Sequence, residues 1–404
     1  MRIKTWQGKR VWGFLSILTI ATIAYLLIKD ADLFVDEHDY VRQIESYRRG
    51  VFTHDPGLDT SPTYPMVIWG ISSVLRSPAI SDLRLLTCVL GLASVAAFYC
   101  CAAKIDDTVA LIRTLDYFLL PILFPYFFLV YTDPFAMLFL LLAVYGYLDK
   151  QYSLAGICSG LSVLIRQTHI IWVCMLLTMI YVDTYGFRLS WTALRKHVKQ
   201  CWSFVLVIAG FSIFVLMNGG VAMGSPLYHP FLIWRTENVF FSLFIFSFLF
   251  LPFYFSHLPE IYQLLKHQPL FLLVGLIVAS IYLSLFTVDH PYNLSLFFLR
   301  NHFLRIFTSN ILLKTLLFIP IFLAILSLAV SSLGSRSQYL LYPFWLLALL
   351  PLWLIETRYY IPLMALFLLF KKPESPALER RLLMYWSGLS AVVFLLILSR
   401  RAFP

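Results

Sequence analysis

The chain reads as an all-α, polytopic transmembrane bundle of about 12–13 spans, and three observations predict it. First, 60% of its 404 residues are apolar and only 13% are charged, where a soluble domain is roughly half apolar and about a quarter charged. The mean hydropathy is +0.81. Second, the apolar residues fall into runs near the roughly 20 residues that a membrane span needs. Third, the basic residues sit in short clusters between those runs, as orientation by positive loops requires. A soluble enzyme, a secreted disulfide scaffold and a disordered chain are all excluded. The formal charge of +10 (31 Lys+Arg against 21 Asp+Glu) would suggest nucleic acid in a soluble protein. Here the cations orient helices, and no nucleic-acid partner is expected.

The first apolar run, 11–28, follows Arg2, Lys4, Lys9 and Arg10. Its length, and the lack of a small-residue cleavage site after it, predict an uncleaved anchor with a cytosolic N-terminus rather than a signal peptide. Further runs lie near 83–103, 114–131, 134–148, 152–165, 168–183, 200–217, 238–256, 269–288, 311–333, 338–355, 359–370 and 383–399. The run 65–75 is too short to span and is expected to lie in the interface or dip back. Alternation puts loops 184–199 (Arg188, Arg195, Lys196, Lys199) and 371–382 (Lys371, Lys372, Arg380, Arg381) inside. Segments 30–64, 131–133, 166–169, 218–237, 289–305 and 356–360 then share the outer face. No repeat or Gly/Ser linker interrupts the chain, so residues 1–404 are expected to form a single membrane domain. The six cysteines form no ligand spacing and read as buried apolar residues. No metal site and no cofactor are expected.

Acids, histidines, arginines and tyrosines gather on the outer face. The first outer loop, 30–64, opens with Asp36-Glu37-His38-Asp39-Tyr40 just after the first span. A carboxylate at the top of a helix beside the membrane can meet a lipid headgroup and act as a base; equally, it can be a solvated loop ending a helix. Asp133 before Pro134 suits a helix start, Asp as N-cap and Pro at N1, with a catalytic role as the alternative. Arg166-Gln167-Thr168-His169 lies between two apolar runs, where a guanidinium needs a carboxylate or a phosphate. Asp289-His290-Pro291-Tyr292 with Arg300-Asn301-His302, and Glu356-Thr357-Arg358-Tyr359-Tyr360, combine fixed positive charge with aromatic rings. That mixture suits a phosphate beside a sugar, or simply an interfacial belt. Asn293-Leu294-Ser295 is a formal N-glycosylation acceptor. There is no Walker loop, dinucleotide fingerprint, HExxH or GxSxG, so an enzyme of this kind would take its donor from within the membrane.

In combination, these segments are more specific than any one of them. Asp36-Glu37 before Tyr47, Gly50, Asp55-Pro56, Thr60, Pro62 and Tyr64 resembles the first lumenal loop of the dolichyl-phosphate-glucose alpha-1,2-glucosyltransferase family. Tyr131-Thr132-Asp133, Arg166 to Ile170 with Trp172, Asn218-Gly219-Gly220 with Gly224, His290-Pro291-Tyr292 with Asn301-His302-Phe303, and Glu356 to Tyr360 with Pro362 follow in the family's order. The resemblance implies a GT-C fold with an outer-face cavity, and inversion at the sugar carbon with a polyprenyl phosphate leaving group. It implies a lipid-phosphate sugar donor and a lipid-linked glycan acceptor as partners, alongside membrane lipid. Asp36 is the expected base and Glu37 the second choice. Arg358 and His290, then Arg166, Gln167, Asp133, His302 and Tyr359, are the expected substrate contacts.

Other readings stand beside it. A GT-C transferase using mannose or arabinose would keep the mechanism and change the sugar. A lipid-linked sugar transporter should show paired repeats around midplane charges, and neither is visible. A non-catalytic partner of a transferase is the third. The membrane would be the endoplasmic reticulum in a eukaryote and the plasma (inner) membrane in a bacterium.

Overall fold

A computed structural model describes residues 2–76, 79–224, 230 and 233–404, excepting the side chains of 2–9. The side chains of the N-terminal cations Arg2, Lys4 and Lys9, and residues 225–229 and 231–232, thus lie outside what is described. Among those described there are α-helices and short 3-10 turns but no β-strand, only isolated bridges. The chain is an all-helical, multi-pass bundle. It falls into two compact units, residues 1–227 with 336–340, and residues 228–335 with 341–404.

The first unit holds ten helices: α1 (Arg2–Ile28), α2 (Glu37–Arg48), α3 (Thr63–Val74), α4 (Ile80–Asp106), α5 (Ala110–Phe118), α6 (Asp133–Leu148), α7 (Tyr152–Ile165), α8 (Ile170–Tyr185), α9 (Trp191–Gln200) and α10 (Trp202–Asn218). The second holds α11 (Glu237–Leu249), α12 (Leu251–His267), α13 (Leu270–Leu285), α14 (Leu299–Ser309), α15 (Ile311–Val330), α16 (Leu341–Leu349), α17 (Ile361–Phe370) and α18 (Pro376–Leu398). Among the described residues, five helical stretches are long and apolar enough to cross a membrane by length and composition, beginning at Arg10, Ile80, Gln167, Ile311 and Pro376. Two bent pairs, α9 with α10 and α11 with α12, raise that to seven, and four shorter apolar helices accompany them.

Proline reshapes three of the expected spans. The run 114–131 is not one helix: α5 stops at Phe118 and a 3-10 turn follows at Phe124–Phe128. Pro121 and Pro125 lack the N–H that a continuing helix needs. Residues 116–137 are all buried, and irregular backbone survives at membrane depth where protein surrounds it. Run 238–256 breaks at Phe250, beside Pro252, into α11 and α12 bent by 97°. Run 338–355 supplies only the nine residues of α16, with Pro343 in its first turn and Pro351 beyond its end. The short run 65–75 does form a short helix, α3, of 12 residues.

Small residues set the closest helix contacts, as is usual where lipid removes any hydrophobic drive between helices. A Cβ on Gly156 of α7 would stand 2.1 Å from Ser203 Oγ and 2.7 Å from the Phe204 amide of α10. One on Gly146 of α6 would meet the Ala155 backbone of α7 at 3.0 Å. The α6–α7 turn closes on Lys150, a non-glycine residue at φ +58°.

Candidate functional site

Both units carry buried polar clusters. In the first, α1 ends at Ile28 with its last carbonyls turned into the protein, and Arg84 of α4 receives them. Its Nη1 donates to Ile28 O at 2.6 Å and Ala31 O at 2.7 Å, and its Nη2 to Asp32 O at 3.1 Å. The same guanidinium grips Glu37 with both arms, Nε to Oε1 at 3.1 Å and Nη2 to Oε2 at 2.7 Å. Glu37 also accepts from the Val130 amide at 2.7 Å and the Phe34 amide at 2.9 Å. Both side chains are fully buried. Glu37 is thereby committed to four bonds, and together with the Arg84 bond to Ile28 O they fasten α1, α2, α4 and the Val130 segment at one point.

Asp36 is half-buried, one residue from that clamp, and its carboxylate does not cap α2. Its amide donates to Tyr131 Oη at 3.2 Å, while Tyr131 donates to Phe34 O at 3.3 Å. Val35, between them, is held at φ +43°. A β-branched residue in the left-handed region is strained by roughly 1–3 kcal/mol, and such strain persists only where the surroundings enforce it. The Arg84–Glu37 clamp and the Tyr131 hydroxyl enforce it here.

Around Asp36, Tyr40 Oη lies 3.4 Å from Thr60 Oγ1 and 3.5 Å from Thr132 Oγ1. Its ring meets those of Tyr64 and Tyr131 edge-on. Arg42 pairs with Asp39 at 2.6 Å and with Asp55, tying α2 to the loop after it. Burial pushes the Asp39 carboxyl up, and the neighbouring Asp36 charge adds to this against the pull of Arg42. The Arg42 hydrogen bond holds the Asp55 carboxyl below its usual range. Asp133, the first residue of α6, is ion-paired with Arg166, both nearly buried. Thr132, not Asp133, occupies the N-cap position. Gln167 is buried with its Nε2 unbonded among the described residues. His169 Nδ1 sits 2.7 Å from Ser162 Oγ, which bonds Ala136 O at 2.9 Å.

In the second unit Arg300 is buried and pairs with Glu356 at 2.8 Å, and Arg358 approaches the same carboxylate oxygen at 3.7 Å. The two guanidiniums share one acid, and Arg300 Nη1 also donates to Pro404 O at 2.9 Å. His290 is buried, accepts from the Tyr292 amide through Nδ1 at 3.2 Å and meets Trp353 edge-on at 4.6 Å. Trp353 donates to Asp289 at 2.7 Å, and Arg235 to the other Asp289 oxygen at 2.9 Å. Burial alone would raise the Asp289 carboxyl, but these two bonds outweigh it and hold it low. Asn293 locks this loop to the 355 segment, donating to Ile355 O at 2.8 Å and accepting from its amide at 3.0 Å.

Asp36, Glu37, Asp133, Arg166 and Gln167 therefore fall in the first unit, and His290, Arg358, Tyr359 and His302 in the second. Tyr359 is half-buried beside Arg358, whereas His302 lies exposed on α14. Asn293, the formal glycosylation acceptor, is 3% exposed with both amide atoms engaged. Two residues escaped the sequence reading. Arg84 was the detectable one, a charge inside an apolar run that has to find partners; Trp353 left no signal in an aromatic-rich chain. Among the described residues no group of three or more His, Cys, Asp or Glu is placed to hold a metal ion.

Comparison with known proteins bears on what these clusters serve. The sequence pattern of the DIE2/ALG10 family matches residues 30–191 and 183–369. The chain belongs to the DIE2/ALG10 family. Both polar clusters lie inside the matched residues. Two curated relatives carry the name Dol-P-Glc:Glc(2)Man(9)GlcNAc(2)-PP-Dol alpha-1,2-glucosyltransferase. The one from Candida albicans is 28% identical over 192 residues, covering 43% of this chain and 42% of the relative. The one from Candida glabrata is 23% identical over 223 residues, covering 48% and 42%. This chain thus spans about 42% of the length of the curated relatives it matches. No solved structure matches.

Proposed function

We propose that this chain is an inverting glucosyltransferase of the GT-C type, moving glucose from dolichyl-phosphate-glucose to a lipid-linked oligosaccharide in the endoplasmic reticulum membrane. Membership of the DIE2/ALG10 family and the names of the two Candida relatives support the reaction. The observation that carries the site assignment is the mounting of Asp36: a carboxylate spared from helix capping, on a strained turn fixed by a buried Arg–Glu clamp. Such pre-organisation is what a general base needs, and a base of this kind contributes about 10²–10⁴-fold.

In this reading Asp36 takes the proton of the acceptor hydroxyl as its oxygen attacks the anomeric carbon. The bond from that carbon to the phosphate oxygen breaks, and the configuration inverts. Dolichyl phosphate leaves as an anion and needs charge stabilisation rather than a proton. Arg358 and His290 are assigned that role, with Arg166, Gln167, Asp133, Tyr359 and His302 as further substrate contacts. Glu37 is assigned to positioning, since its four hydrogen bonds leave it no part in proton transfer.

The test is glucose transfer by purified protein from dolichyl-phosphate-glucose to a lipid-linked oligosaccharide, run beside Asp36→Asn. Transfer is expected from the wild type, with a loss of at least about a hundredfold in the variant. Unchanged turnover in Asp36→Asn would remove Asp36 as base. Transfer from a mannose donor alone would discard glucose and keep the mechanism.

A further inference from the structure

The 16 residues of α6, running from Asp133, and the 16 of α8, running from Ile170, each carry the chain about 24 Å away from the Asp133–Arg166 pair. Just past the end of α8 lies α9, which meets the apolar α10 at 86°. α10 is 17 residues without a charge, near the lower limit for a span. A helix at right angles to a spanning segment lies in the plane of the membrane surface.

The side chains of α9 divide three ways around its axis. His197, with Ala193 and Cys201 one turn to either side, faces the protein, and its ring is held edge-on between Tyr181 and Tyr185. Tyr181 Oη fixes the approach to the helix, donating to Arg188 O at 3.0 Å and accepting from the Ser190 amide at 3.3 Å. Trp202 Nε1 fixes its far end on Ser153 Oγ at 3.1 Å. Trp191, Leu194 and Val198, at i, i+3 and i+7, form an exposed apolar stripe, which Phe187 and Leu189 extend. Arg195, Lys196 and Lys199 occupy the remaining face, all exposed, with the Arg195 guanidinium over the Trp191 ring at 5.3 Å. No Asp or Glu occurs from Thr184 through Thr236. The acids at this end are engaged: Asp183 accepts from Tyr147 Oη at 2.5 Å, Asp149 pairs with Lys104, Asp107 pairs with Arg10, and Asp106 accepts from Thr108 Oγ1 at 2.6 Å.

An apolar stripe flanked by uncompensated cations, on a helix bolted flat to the protein, fits one occupant: the headgroup boundary of an anionic leaflet, apolar side chains in the acyl region and cations on the lipid charge. We propose that α9 is a lipid-reading surface of this enzyme, selective for anionic lipid, at the end of the first unit opposite Asp36. A neutral bilayer would satisfy the stripe but not the three cations beside it.

The full chain tests this, with the exposed native thiol Cys100 replaced by Ser and a fluorophore carried on Val198→Cys. It is reconstituted in nanodiscs of phosphatidylcholine alone and of phosphatidylcholine with phosphatidylserine. Spin-labelled lipids are expected to quench the probe, and labelled phosphatidylserine is expected to do so preferentially. Replacing Arg195, Lys196 and Lys199 together by Gln should abolish that preference, at about fivefold per cation removed. High salt should do the same to the wild type, and Arg401→Gln, an exposed cation of the second unit, should leave it intact. Equal quenching by both lipids in the wild type, or an unchanged preference in the triple variant, overturns the proposal. A probe that stays in water in both nanodiscs also overturns it and indicates a protein occupant. None of these outcomes depends on which sugar the enzyme transfers.

Discussion

Arg84 does at one point what would otherwise take several interactions: it satisfies carbonyls at the end of α1 and neutralises Glu37. Removing one member of such a buried pair strands the other charge, at a cost of about 3–5 kcal/mol. Arg84→Met is therefore expected to lower the thermal midpoint sharply. Arg84→Met with Glu37→Leu should recover only part of the loss, because the α1 carbonyls still lack a donor; differential scanning fluorimetry in detergent distinguishes full from partial recovery. Val35 makes the complementary case. Val35→Gly removes the penalty of a β-branched side chain at φ +43°, so stability should hold or rise by up to about 1 kcal/mol. Turnover should fall as Asp36 loses its fixed setting, and a kcat that holds while stability rises would show the strain to be incidental.

At the scale of elements, α7 and α10 approach so closely at Gly156 that any side chain there must push a backbone aside. Gly156→Val is expected to separate the two helices and destabilise the fold, whereas Gly210→Ala, which meets nothing within 4 Å, should be tolerated; melting curves of the two variants make the comparison. The loop after α2 depends on a titratable tie. Asp55 is held low by Arg42, so its stabilisation is present above the ordinary carboxylate pKa of about 3.9. It is lost as pH falls through the lower folded value. Asp39 is pushed up and works in the opposite sense. Hydrogen-exchange protection of residues 50–62, measured against the intrinsic rate at each pH, should therefore fall on acidification below about pH 4, and Arg42→Gln should lower it at every pH. The sequence disclosed Asp36 and Asp55 as charges in a polar loop, but not the Arg42 bridge to Asp55, which joins residues 13 apart.

For the whole molecule, alternation of the apolar runs predicts residues 30–64 on one side of the membrane and loop 184–199 on the other. In sealed, oriented vesicles an impermeant thiol reagent should label His38→Cys and Lys196→Cys from opposite sides, with Cys100→Ser as background. Labelling of both from one side would overturn the orientation. The residues proposed above for catalysis and donor binding fall in both units, Asp36 in one and the Arg300–Glu356–Arg358 cluster in the other. Arg358→Ala is expected to raise the KM for the donor far more than Asp36→Asn does, while Asp36→Asn acts on kcat; steady-state kinetics with varied donor separates them.

Composition and periodicity alone determined that this chain is a helical, multi-pass membrane protein, because hydrocarbon tolerates little else and 60% apolar content leaves no soluble alternative. They also marked the polar segments, since a charge beside an apolar run is costly and has to serve some purpose. Tertiary structure decided which of those charges are spent on the fold. Neighbours in sequence, Asp36 and Glu37 look alike, yet Arg84, 47 residues away, pairs with Glu37, while Asp36 sits on the strained turn beside it. Tertiary structure also decided where proline would break an apolar run, as at 114–131, and that Asn293 would be a buried clamp. Local patterning reports what a residue needs from its surroundings. Which partner meets that need depends on contacts between distant parts of the chain, and those exist only once it has folded.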